Sequence, residues 1–256
     1  MRFDGRVAIV TGSGQGIGRS IAMMLAAEGA KVVTNNRKPG RDGGDAATVA
    51  EEIKEAGGDA IAVFGNVADN NEAQKLVRTT VDKYGRVDIL VNNAATMLRG
   101  PIITYTEPQI RDIIDVNLIG TIFCCQQVIP HMARQKYGKI VNISSGAGLQ
   151  GEPNMAVYSA TKYGVIGLTE ALAPELGYYN INVNAVCPGA ISTRMSRDSG
   201  SGYTDNILRR EIMPEDVAAA VLFLASDESK AITSMWIPVT SGIEKRVLPP
   251  KPLFTV

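Results

Sequence analysis

Cysteine and histidine are scarce in this chain of 256 residues, with three of the first and one of the second. Cys124 and Cys125 are adjacent in an apolar stretch, and Cys187 lies in a strand-like run ahead of Pro188. No CxxC pair or Cys/His spacing marks a zinc site, and thiols in such surroundings read as core residues. His131, between Pro130 and Met132, is the only imidazole. A Ser-His-Asp hydrolase would depend on it alone, and no GxSxG elbow carries a serine for it, so His131 reads as structural. An excess of one charge is also missing. Lys plus Arg and Asp plus Glu number 26 each, for a formal net charge of zero, which leaves no basic surplus for nucleic acid or an anionic bilayer. No uninterrupted apolar run reaches the roughly 18 residues of a membrane span. The start, Met1-Arg2-Phe3-Asp4-Gly5, leads into a strand and does not resemble a signal peptide. The expected compartment is the cytoplasm, with no nucleic-acid and no membrane partner.

Apolar runs do alternate with amphipathic stretches from the first residues. Val7–Val10, Lys31–Thr34, Ala60–Val63, Ile89–Asn92, Lys139–Asn142, Asn182–Val186 and Met235–Val239 read as strands. Between them, helices are expected over 17–28, 46–56, 72–84, 107–135 (one long helix with a possible bend), 157–177 and 214–225. Strands and helices alternating in this way imply βαβ units around a parallel sheet, within one domain spanning residues 1–256. Ser192 to Arg210 breaks the pattern with Ser, Gly, Arg and Asp and little periodicity. The segment 192–212 is therefore read as a substrate loop, either a lid or a solvated insertion. The tail 245–256, Pro-rich and then apolar, either extends over a neighbouring subunit or has no fixed structure.

Thr11-Gly12-Ser13-Gly14-Gln15-Gly16-Ile17-Gly18 follows the first strand and opens the first helix. It departs from GxGxxG, since Ile17 stands where the third glycine would fall. Gly12, Gly16 and Gly18 still permit a tight turn, close backbone approach to a pyrophosphate and close helix–sheet packing. The helix N-terminus adds free N–H groups and a favourable dipole. At the end of the second strand, an acid would hold an adenosine ribose and signal NAD. The residues there are Asn35-Asn36-Arg37-Lys38, with Arg41 beyond. A basic cluster in this place suits the extra phosphate of NADP, so NADP(H) is favoured over NAD(H).

Tyr158 and Lys162, in Tyr158-Ser159-Ala160-Thr161-Lys162, share one helix face. An ammonium beside a phenol favours phenolate, which predicts a lowered tyrosine pKa and a general acid or base for a carbonyl or alcohol. Ser145 lies upstream in Asn142-Ile143-Ser144-Ser145, thirteen residues before Tyr158.

Taken in order, Thr11-Gly12-x3-Gly16-Ile17-Gly18, Asn92-Asn93-Ala94, Asn117, Ser145, Tyr158-x3-Lys162 and Pro188-Gly189 resemble the short-chain dehydrogenase/reductase family, in its compact single-domain branch. The resemblance runs from Arg6 to about Gly242. It implies a Rossmann-type, doubly wound parallel sheet of about seven strands with helices on both faces. It further implies that Tyr158 exchanges the proton with the substrate oxygen, that Lys162 lowers its pKa and holds the nicotinamide ribose, and that Ser145 orients the substrate. Asn117 would support a relay water near Lys162, completing a catalytic set of Asn117, Ser145, Tyr158 and Lys162. The implied cofactor contacts are Gly12, Ser13, Gln15, Gly16, Ile17 and Gly18 at the phosphates, and Asn36, Arg37, Asn66 and Val67 at the adenosine. Asn93, Ala94, Tyr158, Lys162, Pro188, Gly189 and Thr193 follow at the nicotinamide side. Ala95 stands where the family usually has Gly, Asn66 where it has Asp, and Val239-Thr240-Ser241-Gly242 where it has Asp-Gly-Gly. Leu118 to Val128 and the helix of Tyr158 suit the family's subunit interface, so a homo-oligomer, tetramer or dimer, is expected.

The expected partner is a small carbonyl or alcohol substrate. Arg194, Met195, Tyr203 and Ile207 are candidate pocket residues, with Met97, Leu149 and Met155 as apolar walls or core. The implied activity is hydride transfer between nicotinamide and a ketone or secondary alcohol. The alternative is a dinucleotide-binding sensor or scaffold without catalysis, which would need the phosphate turn but not the tuned phenol.

Overall fold

The structure is a computed structural model that describes residues 1–40, 44–191 and 206–242. Seven strands form one sheet: β1 Val7–Val10, β2 Lys31–Asn36, β3 Asp59–Phe64, β4 Ile89–Asn92, β5 Gly138–Ile143, β6 Ile181–Pro188 and β7 Trp236–Val239. Their order is β3-β2-β1-β4-β5-β6-β7, and every neighbouring pair is parallel. The central strands β1, β4, β5 and β6 are buried along their whole length. Their continuous apolar runs are therefore the pattern expected of a sheet covered on both faces.

The helices are α1 Gly16–Ala27, α2 Ala46–Glu55, α3 Asn70–Tyr84, α4 Glu107–Ile114, α5 Gly120–Gln135, α6 Ala156–Leu176 and α7 Pro214–Ala225. Local chemistry sets several of their ends. The Asp45 and Asp69 side chains accept backbone N–H groups at the starts of α2 and α3, which satisfies donors a helix N-terminus leaves free. Gly85 closes α3 in a left-handed conformation, and Pro214 takes the first position of α7, where its missing N–H costs nothing. Ile21, Leu25, Val49, Ile53, Val221 and Leu222 of α1, α2 and α7 belong to one core cluster. Leu76, Val77, Cys124, Val128, Met132 and Leu176 of α3, α5 and α6 belong to the other. The sheet separates the two layers.

The long helix expected over 107–135 forms, and its bend is a π-helical turn at Asp115–Ile119 that joins α4 to α5. One extra residue per turn rotates the face that follows, a common device at functional positions, and this turn buries Asn117. By length and composition alone the run Glu107–Gln135 is apolar enough to cross a membrane. In the fold it is a core helix, with Cys124, Cys125, Val128 and Met132 packed inward. All three cysteines are buried and free, as expected. The last strand forms despite the departure after Val239, pairing from Ala185↔Trp236 to Pro188↔Val239.

Chain order reverses between β1 and β4, so their connections leave on opposite sides and open a crevice beyond their C-terminal ends. The turn after β1 and the residues after β4 meet there.

Candidate active site

The glycine turn is held from both sides. The Thr11 hydroxyl accepts the backbone N–H groups of Asn93 and Ala94, each at 3.0 Å. The Asn93 amide donates back to the carbonyls of Thr11 and Gly12 at 2.9 and 3.0 Å. Ser13 is tied to β2, its N–H donating to the Asn35 carbonyl and its hydroxyl accepting the Asn35 N–H. Gly12 and Gly16 have positive φ, +63° and +54°, which side chains resist. A Cβ on Gly12 would fall 2.8 Å from the Ala94 Cα, and one on Gly18 would overlap the Gly12 carbonyl and the Asn93 amide. Gln15 precedes α1 in an extended conformation and makes no side-chain capping bond, so first-turn N–H groups remain for an anion. Ala95 avoids positive φ, which lets a side chain stand where glycine is usual.

The adenosine corner differs from a bare basic cluster. Asn36, at the end of β2, is buried, and its Oδ1 has no hydrogen-bond partner among the described residues. That oxygen lies beside Gly14, whose Cβ it would overlap. Arg37 is half exposed and pairs through Nη1 with Asp112 Oδ1 of α4 at 3.3 Å. Asn66 folds its Oδ1 back onto the Ala68 N–H at 3.3 Å. Val67 packs against Gly120, whose added Cβ would come within 2.7 Å of it. A cradle that tolerates no Cβ, free N–H groups and an unpaired buried acceptor suit a dinucleotide. Gly12, Ser13, Gln15, Gly16, Ile17 and Gly18 would hold its phosphates, with Asn36, Arg37, Asn66 and Val67 at its adenosine.

Helix α6 carries Tyr158 and Lys162, both buried, toward the end of β5. The Ser145 side chain acts on the Tyr158 phenol, favouring its charged form, and the Ser145 hydroxyl accepts the Ala147 N–H at 3.1 Å. Ser144 points elsewhere, donating to the Lys162 carbonyl at 2.8 Å. The geometry thus distinguishes the two serines. Lys162 donates from Nζ to the Ile143 carbonyl at 2.9 Å and lies over the Tyr158 ring, 5.5 Å from its centroid. This corrects the expected electrostatics. Burial raises the Tyr158 phenol above its ordinary value, only partly opposed by the Ser145 side chain. Burial also lowers the Lys162 ammonium to about 8, partly opposed by Cys187. Helical spacing brings the two side chains together, but desolvation outweighs their proximity.

Asn117 stands in the π turn with its amide fully engaged. Its Oδ1 accepts the Thr96 N–H at 2.8 Å, and its Nδ2 donates to the Thr96 carbonyl at 2.9 Å and the Thr161 hydroxyl at 3.2 Å. Thr161 in turn donates to the Tyr158 carbonyl at 2.7 Å. The Asn117 side chain is therefore a brace between the β4 exit and α6. Pro188 ends β6, and Gly189 donates to the Val239 carbonyl at 3.0 Å, placing both at the same rim as Ser145. Met97 and Met155 gather with Ile113, Val157 and Tyr158 in an apolar cluster against the site. Leu149 is not in that cluster, and Ile207 packs by Gly242. Thr193, Arg194, Met195, Tyr203 and Arg41 lie outside the described residues, as does the tail 245–256. The two ends of the expected substrate loop are pinned by a parallel bridge between Ile191 and Ile212.

Two participants escape a reading of the sequence. Thr161 lies inside the Tyr-x3-Lys motif but is silent until Asn117 is seen against it. Asp112 gives no signal, being 75 residues from Arg37.

Residues 6–204 match the model of the short chain dehydrogenase family. A 3-oxoacyl-(acyl-carrier-protein) reductase from Staphylococcus epidermidis is 41% identical over 241 residues, covering 92% of this chain and 98% of that protein. One from Thermotoga maritima is 37% identical over 249 residues, covering 95% and 99%. Among solved structures, levodione reductase superposes with a TM-score of 0.88 at 29% identity, covering 96% of this chain and all of that one.

Proposed function

This chain belongs to the short-chain dehydrogenase family, and we propose that it is an NADP(H)-dependent reductase of apolar ketones, with 3-oxoacyl thioesters as its first substrate class. Membership makes it an oxidoreductase interconverting C=O and CH–OH with a nicotinamide cofactor. The observation that carries the finer reading is Lys162 over the Tyr158 ring, with Ser145 acting on the phenol, beside the glycine cradle.

The cofactor, when bound, supplies or takes the hydride. The chain's own residues handle the proton. A phenol raised above its ordinary value stays protonated at neutral pH, so Tyr158 is ready to donate to a carbonyl oxygen as that oxygen gains charge. The Ser145 hydroxyl, already at the phenol, orients the same oxygen. Lys162 brings positive charge under the phenol and stabilises the phenolate left after donation. Asn117 holds the β4 exit and α6 in register. These roles favour reduction over oxidation. The apolar cluster of Met97, Ile113, Met155 and Val157 suits a hydrocarbon chain or ring better than a charged substrate. The 3-oxoacyl choice follows the names of the relatives at 37–41% identity, and levodione is the second choice after the structural neighbour. The cytoplasmic setting and a homotetramer or homodimer belong to this proposal, and light scattering tests the second.

The test is a direct assay of NADPH oxidation with acetoacetyl thioester and with levodione, for wild type and Tyr158→Phe, alongside dinucleotide titration. Turnover of at least one ketone is expected, lost in the variant while NADPH still binds. Near-normal turnover in Tyr158→Phe would overturn the assignment. A protein that binds dinucleotide but reduces no ketone would return the sensor reading, and tighter binding of NADH than of NADPH would reverse the cofactor choice.

A further inference from the structure

We infer that Asp112 sets the cofactor preference of this protein by competing for the Arg37 guanidinium. The inference rests on the dinucleotide reading above and adds to it a residue on a different element.

Arg37 directly follows Asn36 at the end of β2, and Asp112 lies in the last turn of α4, ahead of the π turn. Their side chains meet at 3.3 Å, each about half exposed. Asn36 is buried, with an Oδ1 that has no partner among the described residues. The two forms of adenosine ribose ask different things of this corner. A 2′-hydroxyl needs one acceptor, and the Asn36 oxygen is an acceptor lacking a donor. A 2′-phosphate needs a cation, and the guanidinium next in sequence is already committed to a carboxylate. Binding the phosphate must displace Asp112 or leave two anions on one arginine, and like charges at one site repel. Asp112 therefore penalises NADPH and is neutral toward NADH. Arg37 and Asn36 together admit both dinucleotides, and the carboxylate 75 residues away adjusts the ratio.

Asp112→Asn keeps the shape and removes the charge. Titration with NADPH and NADH at low salt, followed by quenching of protein fluorescence, should show NADPH about two- to fivefold tighter in the variant, the scale of one exposed charge pair. NADH affinity should not change. The gain should vanish in the Arg37→Ala background and shrink at high salt, where exposed charges are screened. Adenosine 2′,5′-bisphosphate against AMP should repeat the pattern without the nicotinamide half. Equal tightening of both dinucleotides, or no change in either, would overturn the role of Asp112 while leaving the enzyme assignment intact. Failure of the wild type to bind either dinucleotide would overturn the cofactor reading and this inference together.

Discussion

Lys139 and Lys162 are both almost fully buried, at opposite rims of one sheet, and their surroundings differ in kind. Lys139, near the start of β5, donates to Asn182 Oδ1 at 2.8 Å and feels Asp227, which opposes the lowering that burial imposes. Its rim is closed upon itself. Arg6 stacks over Tyr137 at 3.8 Å, and Tyr137 donates to Asp227 at 2.9 Å. Fully buried Asp88 accepts from the Val7 N–H and from two nitrogens of Arg86. Lys162 has a backbone carbonyl and a ring face, and among the described residues Cys187, not a carboxylate, opposes its desolvation. The same rim holds the Asn36 and Asn92 side-chain oxygens, which have no partner among the described residues. Buried polarity that is fully paired maintains a fold, whereas buried polarity left short of partners waits for a ligand. In parallel sheets the second kind collects at the C-terminal ends of the strands.

The largest expected effect separates buried Tyr158 from half-buried Tyr137. Tyr158→Phe should cut ketone turnover by about 10³-fold, within the range of lost general acid catalysis, and leave NADPH affinity nearly unchanged. Tyr137→Phe should leave turnover intact and cost about 1 kcal/mol of stability for its hydrogen bond. A comparable loss of turnover in both would erase the contrast. Next is Asp88→Ala, which strips the N-terminal rim of its buried carboxylate. Urea unfolding should report about 3 kcal/mol of destabilisation, with turnover per folded molecule unaltered.

Lys162→Met sharpens the comparison through pH. The native pKa of Lys162, about 8, lies below its ordinary 10.5. Between those values the unfolded chain binds a proton that the native one does not, so this group makes stability rise with pH from about 8 to 10.5. Below about 8 both states are protonated and the full penalty of a buried ammonium applies. The variant should thus be more stable than wild type at pH 7, by on the order of 3 kcal/mol, and the difference should disappear as pH approaches 10.5. Its turnover should fall sharply throughout, and the wild-type decline in reduction above about pH 8 should be missing. A stability gain independent of pH would show that repacking, not desolvated charge, is responsible. The smallest effect is Thr161→Val, which leaves Asn117 Nδ2 without one acceptor. It should lower kcat by a few-fold with KM unchanged, as expected of lost positioning, and Thr161→Ser should restore it.

Much of this was legible in one dimension. Periodicity identified all seven strands and their parallel arrangement, because a sheet covered on both faces demands continuous apolar runs such as Val7–Val10 and Ile89–Asn92. Glycines after a strand marked the tight turn that opens α1, because only residues without Cβ allow the contacts Gly12 and Gly18 make with Ala94 and Asn93. The bend at Asp115–Ile119 was not legible as a π turn, since no residue type in Asp-Val-Asn-Leu-Ile demands one.

The layered α/β fold, the glycine cradle and the shared helix face of Tyr158 and Lys162 are already written in the order of residues. All of these follow from local spacing and steric permission. Only the folded protein shows that the phenol is raised and the ammonium lowered, that Asn117 braces Thr96 against Thr161, and that Asp112 holds Arg37. Those properties depend on desolvation and on contacts between residues far apart in the chain, and both exist only once the layers close around the sheet.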